Sequence, residues 1–369
     1  MKTLLPRAAF LLTALSLGCA AHAADEQKSW QAEWDRTKTA AEKEGEVAFY
    51  TLGDEYGYLK EFEKKFPKIR VKIVPGKGND LLTRILAERR GGKYLADVAR
   101  LGNTSPYTLY QAKALQPMPS AFILPEVKDE TKWWQGKHHY ADPEGKYIFV
   151  AVGSVSNNMA AYNTDLVNPS QIGSYWDILD KWKGKLVVMD PRVGGYGRSG
   201  ARFVYYNPQL GPRYLQRLFA ESDVTLARDY FQAIDWVATK KFSLVLFING
   251  GDTLQAKDQG LPINVMDTGG WKEGAALEPG AFTFVAMDKP LHPNASKIFV
   301  NWLLSREGQA AIQKEGQTND SLRIDIPKTE VRPFMRRRDG AKYIVTWTPE
   351  WMDTEPMMKV INQALGAGK

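Results

Sequence analysis

Ile69-Arg70-Val71-Lys72-Ile73-Val74 carries apolar residues at every second position. That period of two is the signature of a strand with one face buried. Upstream, Tyr58 to Phe66 reads as a helix stopped before Pro67, because the residue preceding a proline is pushed out of the helical region. Further upstream, Val47-Ala48-Phe49-Tyr50 is a short apolar run closed by Thr51-Leu52-Gly53-Asp54, and Trp30 to Lys43 is a charged helix ended by Gly45. Downstream, Pro75-Gly76-Lys77-Gly78 is a turn, Asn79 or Asp80 can cap a helix running to Arg90, and Ala96 to Leu101 is a further short strand. A strand, polar loop and helix in repeated order predict an α/β layer with a largely parallel sheet. Ligands of such sheets sit beyond the carboxyl ends of the strands, where these polar loops gather.

A second α/β block is expected beyond an irregular stretch at 117–148. Tyr147 to Val152 and Met159 to Tyr162 read as extended, and Leu186 to Met189 is a strand running into the glycine-rich stretch 194–200. Gln232 to Lys240 reads as a helix, Leu244 to Ile248 as a strand ending in Asn249-Gly250-Gly251-Asp252, and Ile263 to Met266 and Phe282 to Met287 as further strands. His292 to Gln313 is a strongly amphipathic helical region.

The 369 residues are 44% hydrophobic and 25% charged, with eleven Trp, a composition that argues against disorder and supplies sizeable cores. Lys2 and Arg7, the apolar run Ala8 to Leu17 and the small-x-small Ala21-His22-Ala23 form a secretory signal peptide, 1–23. A lipoprotein reading would acylate Cys19, but Ser16 stands where the attachment signal usually has Leu, so cleavage after Ala23 is expected. The loss of Lys2 and Arg7 leaves 47 basic against 42 acidic residues, +5, and no cysteine. An exported chain without disulfides suits a bacterial periplasm. No later stretch approaches eighteen apolar residues.

The order of several motifs resembles the bacterial extracellular solute-binding proteins of ABC importers, in the group that includes iron(III), thiamine and aminoethylphosphonate binders. The motifs are Leu86-Ala87-Glu88-Arg89 before Tyr94-Leu95-Ala96-Asp97-Val98, Ala161-Tyr162-Asn163-Thr164-Asp165-Leu166-Val167, and Trp182-Lys183-Gly184-Lys185 before a strand. His292-Pro293-Asn294-Ala295 leading into Asn301-Trp302-Leu303-Leu304-Ser305-Arg306-Glu307-Gly308-Gln309 completes them. The resemblance spans about residues 30–326. It implies the type II periplasmic-binding-protein fold: two α/β lobes joined by crossing strands, a ligand cleft between them, and closure by a hinge. Lobe one is expected from 24–153 plus 268–326 and lobe two from 154–267, with 327–369 packing on either. The implied partners are a small anionic or polar solute and an ABC-type membrane permease, with the chain acting as a monomer.

Gly195-Tyr196-Gly197-Arg198-Ser199-Gly200 matches G-x-G-x-x-G after a strand. Pro208 stops the following helix too early for a dinucleotide-binding unit, so no nucleotide cofactor is expected. Glycine backbone at a helix start instead favours an anion, with Arg198 adding a planar fork; the alternative is a plain tight turn with a solvated Arg. Ser154, Ser156, Asn157 and Asn158 cluster where the chain passes between lobes, and in iron(III) members of the family a Ser matching Ser154 helps hold an anion; the alternative is a polar hinge strand facing solvent. Those members carry an adjacent Tyr pair where this chain has Gly250-Gly251; Tyr205-Tyr206 lies one element earlier and reads as packing. His138-His139 lacks an acid at ligand spacing, so no metal site is expected. Arg336-Arg337-Arg338 reads as a solvated charge run, and Trp133, Trp134 and Trp271 as core, the last with a possible place at the cleft.

No catalytic motif stands out: position 201 is Ala where a G-x-S-x-G elbow needs Gly, and P-loop and H-E-x-x-H patterns are absent. The chain therefore reads as a binding protein rather than an enzyme. A periplasmic hydrolase and an iron(III) binder without tyrosyl ligation are the alternatives, and a charge of +5 without a basic-aromatic stripe is no nucleic-acid footprint. The expected ligand-binding residues are Thr51, Gly53, Asn79, Asn103, Thr104, Ser154, Arg198, Ser199, Asn249 and Asp252.

Overall fold

The computed structural model describes residues 29–53, 56–102, 104–156, 160–248, 250–315 and 317–366. The signal peptide, Asn103, Asn157, Asn158 and Asn249 lie outside the described residues.

Two separate sheets each carry their own core. In the first, β1 (Glu46–Leu52) lies between β2 (Arg70–Gly76) and β3 (Val98–Leu101), all parallel. β13 (Thr283–Met287) then pairs antiparallel with β3, and β4 (Leu115–Gln116) and β5 (Phe149–Val150) pair antiparallel with β13. The sheet is thus mixed rather than largely parallel, because the chain re-enters it from the far end of the molecule. Phe49 from β1 and Phe62 meet Phe299 edge-on at centroid distances of 5.0 and 4.9 Å, which seats the helix Pro293–Leu304 on the sheet.

That helix does not continue to Gln313. Ser305 breaks it, donating its hydroxyl to Trp302 O at 2.7 Å and capping the next helix, Arg306–Lys314, through Gly308 N at 3.1 Å. Gly308 is obligatory there, since a Cβ would fall 1.9 Å from Trp302 O.

The second sheet runs β11-β7-β10-β8-β9, formed by β7 (Ala160–Asn163), β8 (Leu186–Met189), β9 (Thr225–Ala227), β10 (Leu244–Leu246) and β11 (Ile263–Val265). β10, β8 and β9 are parallel and β7 is antiparallel to both its neighbours. Trp271 belongs to this second core, its ring 4.8 Å from Tyr175.

A three-stranded sheet joins the two units. β6 (Ser154–Ser156) leaves the first, and β12 (Ala275–Glu278) returns antiparallel to it, with Glu278 opposite Ser154. Period-two alternation lets β12 serve both sides: Ala275 and Leu277 join the first core and Ala276 the second. β14 (Tyr343–Val345) pairs parallel with β12 as a third crossing. The C-terminal segment then packs on both units rather than on one. Trp347 lies in the first core, whereas Trp351, Met357 and Ile361 lie in the second.

Arg337 is not solvated. Its side chain, 9% exposed, lies against the crossing, donating Nη1 to Gly153 O at 3.2 Å and Nη2 to Asp320 Oδ1 at 3.1 Å and Ser321 O at 2.7 Å. Asp320 also accepts Lys328 Nζ at 3.2 Å, and burial brings that ammonium down to about 8. Arg338 pairs with Asp267 at 2.6 Å.

Candidate functional site

A cavity of about 160 Å³ opens where the crossing strands meet both sheets. β6 contributes Ser154, Val155 and Ser156, and β12 and its exit contribute Glu278 and Gly280. The second unit presents Tyr196 and the helix start Gly250-Gly251. Thr318, Asn319 and Met335 close the remaining side.

Of the residues expected from sequence, Ser154 lines this cavity. Its hydroxyl donates to Thr318 O at 2.6 Å and accepts from Asp320 N at 3.0 Å, which fixes its orientation. Asp252 is half-buried in the first turn of the helix Gly250–Asp258, beside the two lining glycines. Gly250 and Gly251 thus occupy the wall at which the iron-binding members of the group are expected to place phenols.

The glycine-rich helix start serves packing. A Cβ at Gly197 would lie 2.8 Å from Met189 O, and one at Gly200 would lie 2.4 Å from Phe247 Cδ1. Both glycines therefore let the helix Gly195–Tyr206 sit directly on the ends of β8 and β10. Tyr196 faces the cavity, and Arg198, two residues and about 200° further round the helix, does not line it. Arg198 is exposed and donates to the carbonyls of Pro191 and Arg192 at 3.3 and 3.2 Å. Ser199 is half-buried in the same turn.

The lobe-one candidates gather elsewhere. Thr51 is buried at the end of β1 and accepts Arg100 Nε at 2.7 Å. Gly53 follows in the left-handed region at φ 73°, where a Cβ would be 3.6 Å from Arg100 Nη2. Arg100 itself is 1% exposed, lies 4.6 Å from the Phe282 ring, and leaves Nη1 without a hydrogen-bond partner among the described residues. Asn79 and Thr104 are exposed at helix starts, and neither lines the cavity.

Sequence reading missed Glu278, Arg202, Thr318 and Asn319. Burial raises the Glu278 carboxyl above its ordinary value, opposed by the nearby Arg202 guanidinium and by a hydrogen bond from Ser156. Arg202, buried on the same helix as Tyr196, donates to Trp351 O at 3.4 Å, and its Nε has no partner among the described residues. A lone Glu closing a four-residue strand carries no motif, so no signal marked it.

Other titratable residues singled out in the sequence are committed to packing. Tyr206 donates its phenol to Asp353 O and its ring lies 5.3 Å from Trp351. His139 stacks on Trp134 at 5.3 Å, and burial lowers it to about 4. Among the described residues no group of three or more His, Cys, Asp or Glu could hold a metal, and no helix is long and apolar enough to cross a membrane.

Solved structures similar over most of the chain include apo FutA2 from Synechocystis PCC6803, at 14% identity, covering 87% of this chain and 98% of that one with a TM-score of 0.64. Iron-bound HitA from Pseudomonas aeruginosa matches at 19% identity, with coverage of 86% and 99% and a TM-score of 0.58. AfuA from Actinobacillus pleuropneumoniae, with fructose-6-phosphate bound, matches at 17% identity, with coverage of 87% and 98% and a TM-score of 0.56. At these identities the likeness is one of fold. No curated protein matches the chain. The model of the family described as bacterial extracellular solute-binding protein matches residues 57–318, and the chain belongs to that family.

Proposed function

We propose that this protein is the periplasmic receptor of an ABC importer and holds one small polar solute in the cavity between its lobes. Lobe one is residues 24–153 with 275–326, lobe two is 154–274, since Trp271 packs in the second core rather than after the return expected at 268, and the C-terminal segment spans both. The observation that carries the reading is the cavity's lining: both crossing strands, the second unit and the C-terminal segment each supply a wall. A ligand there touches surfaces that separate when the lobes part, so its contacts stabilise the closed state selectively. The closed form is then the species a membrane permease recognises. Of the two ligand classes that the sequence suggests, we favour polar over anionic, because Glu278 rather than Arg198 lines the cavity. The protein acts as a monomer in this scheme, after export and cleavage of its signal peptide.

Small molecules released by denaturing protein purified from the periplasm test the site. Wild type should yield one compound in near-stoichiometric amount by mass spectrometry. Met335→Trp, which fills the cavity from a half-buried turn, should yield none while keeping its melting temperature. Equal recovery from both proteins would place the ligand elsewhere.

A further inference from the structure

Among the described residues lining the cavity, Glu278 is the only acidic or basic side chain. It ends the return strand β12, directly opposite Ser154 of β6. Ser156 hydrogen-bonds it from the flank, and the Arg202 guanidinium lies near it on the helix Gly195–Tyr206. A carboxylate has about four lone-pair sites, and Glu278 stands half-buried on the cavity wall, where its oxygens can accept from a solute. The hydroxyl beside it cannot act as a donor there, because Ser154 already donates its proton to Thr318 O. The Ser154–Glu278 side of the cavity therefore presents acceptors, whereas the helix start at Gly250-Gly251 forms a different wall. A bare anion placed against the Ser154–Glu278 side would meet carboxylate oxygen.

Resting on the proposed cavity site, we infer that Glu278 determines ligand specificity. The solute enters with a donor-bearing end inward, an ammonium or a set of neighbouring hydroxyls, which donates to the Glu278 carboxyl. Arg202 acts as a positioning residue: its charge favours the ionised carboxyl that burial opposes. An arriving ammonium has the same effect from the other side, so carboxyl ionisation and cation binding support one another.

Calorimetry on dialysed protein tests the assignment with three probes: putrescine as a cation, myo-inositol as a neutral polyol and citrate as an anion. Wild type should bind putrescine or inositol in preference to citrate. Glu278→Gln keeps one acceptor oxygen and loses the charge. It should weaken putrescine tenfold or more but inositol only about two- to threefold, which separates the two donor sources. Glu278→Leu should abolish binding of either, with the apo melting temperature of each variant recorded to show that it folds. Citrate binding tightens in Glu278→Gln if the carboxylate repels it, which supports the inference. Citrate binding in wild type tighter than either donor probe, donor binding that survives Glu278→Leu, or no binding of either donor probe overturns it. Met335→Trp tells its failure from failure of the cavity reading. If Met335→Trp abolishes donor binding and the Glu278 variants do not, the cavity stands and only the Glu278 assignment falls. If donor binding ignores Met335→Trp, the cavity reading itself falls.

Discussion

Two short runs invite opposite readings in the sequence and exchange roles in the folded chain. Gly195-Tyr196-Gly197-Arg198-Ser199-Gly200 has the composition of a ligand cradle, yet Gly197 and Gly200 are there because Met189 O and the Phe247 ring leave no room for a Cβ. Arg336-Arg337-Arg338 has the composition of solvated surface, yet the Arg337 side chain lies between Gly153 O and Asp320 at the crossing. Residue type fixes which interactions are available to a segment. Direction decides which are made, and direction is a property of the packed neighbours.

The largest expected effect is at the arginine. Arg337→Met removes one of the two cations on Asp320 and leaves Gly153 O without its side-chain donor, while Ser321 O keeps Lys328 Nζ. Breaking a buried charge network of this kind costs about 3–4 kcal/mol. Chemical denaturation should register the loss, and a change below about 1 kcal/mol would return the run to the surface reading. Next, Gly200→Val forces a branched side chain against Phe247 and should destabilise by about 3 kcal/mol through overpacking. A stable Gly200→Val protein with weakened ligand binding would restore the cradle.

Acid sharpens the contrast further. His139 lies under Trp134, on whose other contacts Arg337 also bears, and burial holds the imidazole near 4 against an ordinary 6.5. As pH falls from 6.5 to 4 the unfolded chain takes up this proton and the folded chain does not, so stability falls across that window by about 2 kcal/mol. His139→Phe should flatten the unfolding free energy between pH 6.5 and 4; an unchanged slope would show that another group carries it. The smallest effect is expected at Arg198→Ala, within about 0.5 kcal/mol of wild type and with ligand affinity preserved. A tenfold loss of affinity there would place the exposed guanidinium on the ligand after all.

Much of the architecture is legible from local pattern, and much of the cavity is not. Leu186 to Met189 and the alternating run from Ile69 are strands because their side chains announce which faces are buried. β12 and β14 escape notice because Ala275-Ala276-Leu277 and Tyr343-Ile344-Val345 are too short to display a period, and each becomes a strand only by pairing across the crossing. Ser154 is found because a hydroxyl cluster stands where the family passes between lobes. Glu278, Thr318 and Asn319 meet it from residues more than a hundred positions away, a closeness that nothing in the chain's linear order encodes.

Trp347 and Trp351 are anchored in different cores only four residues apart. A chain of four residues reaches at most about 14 Å when fully extended. It is therefore a tether: once taut, it arrests the parting of the lobes unless a tryptophan is pulled from its core. Thr346, held to Leu277 O through both its N–H and its hydroxyl, clamps the near end of that tether to β12. Any movement of one core against the other must therefore keep the two tryptophans within that reach or draw one of them from its core.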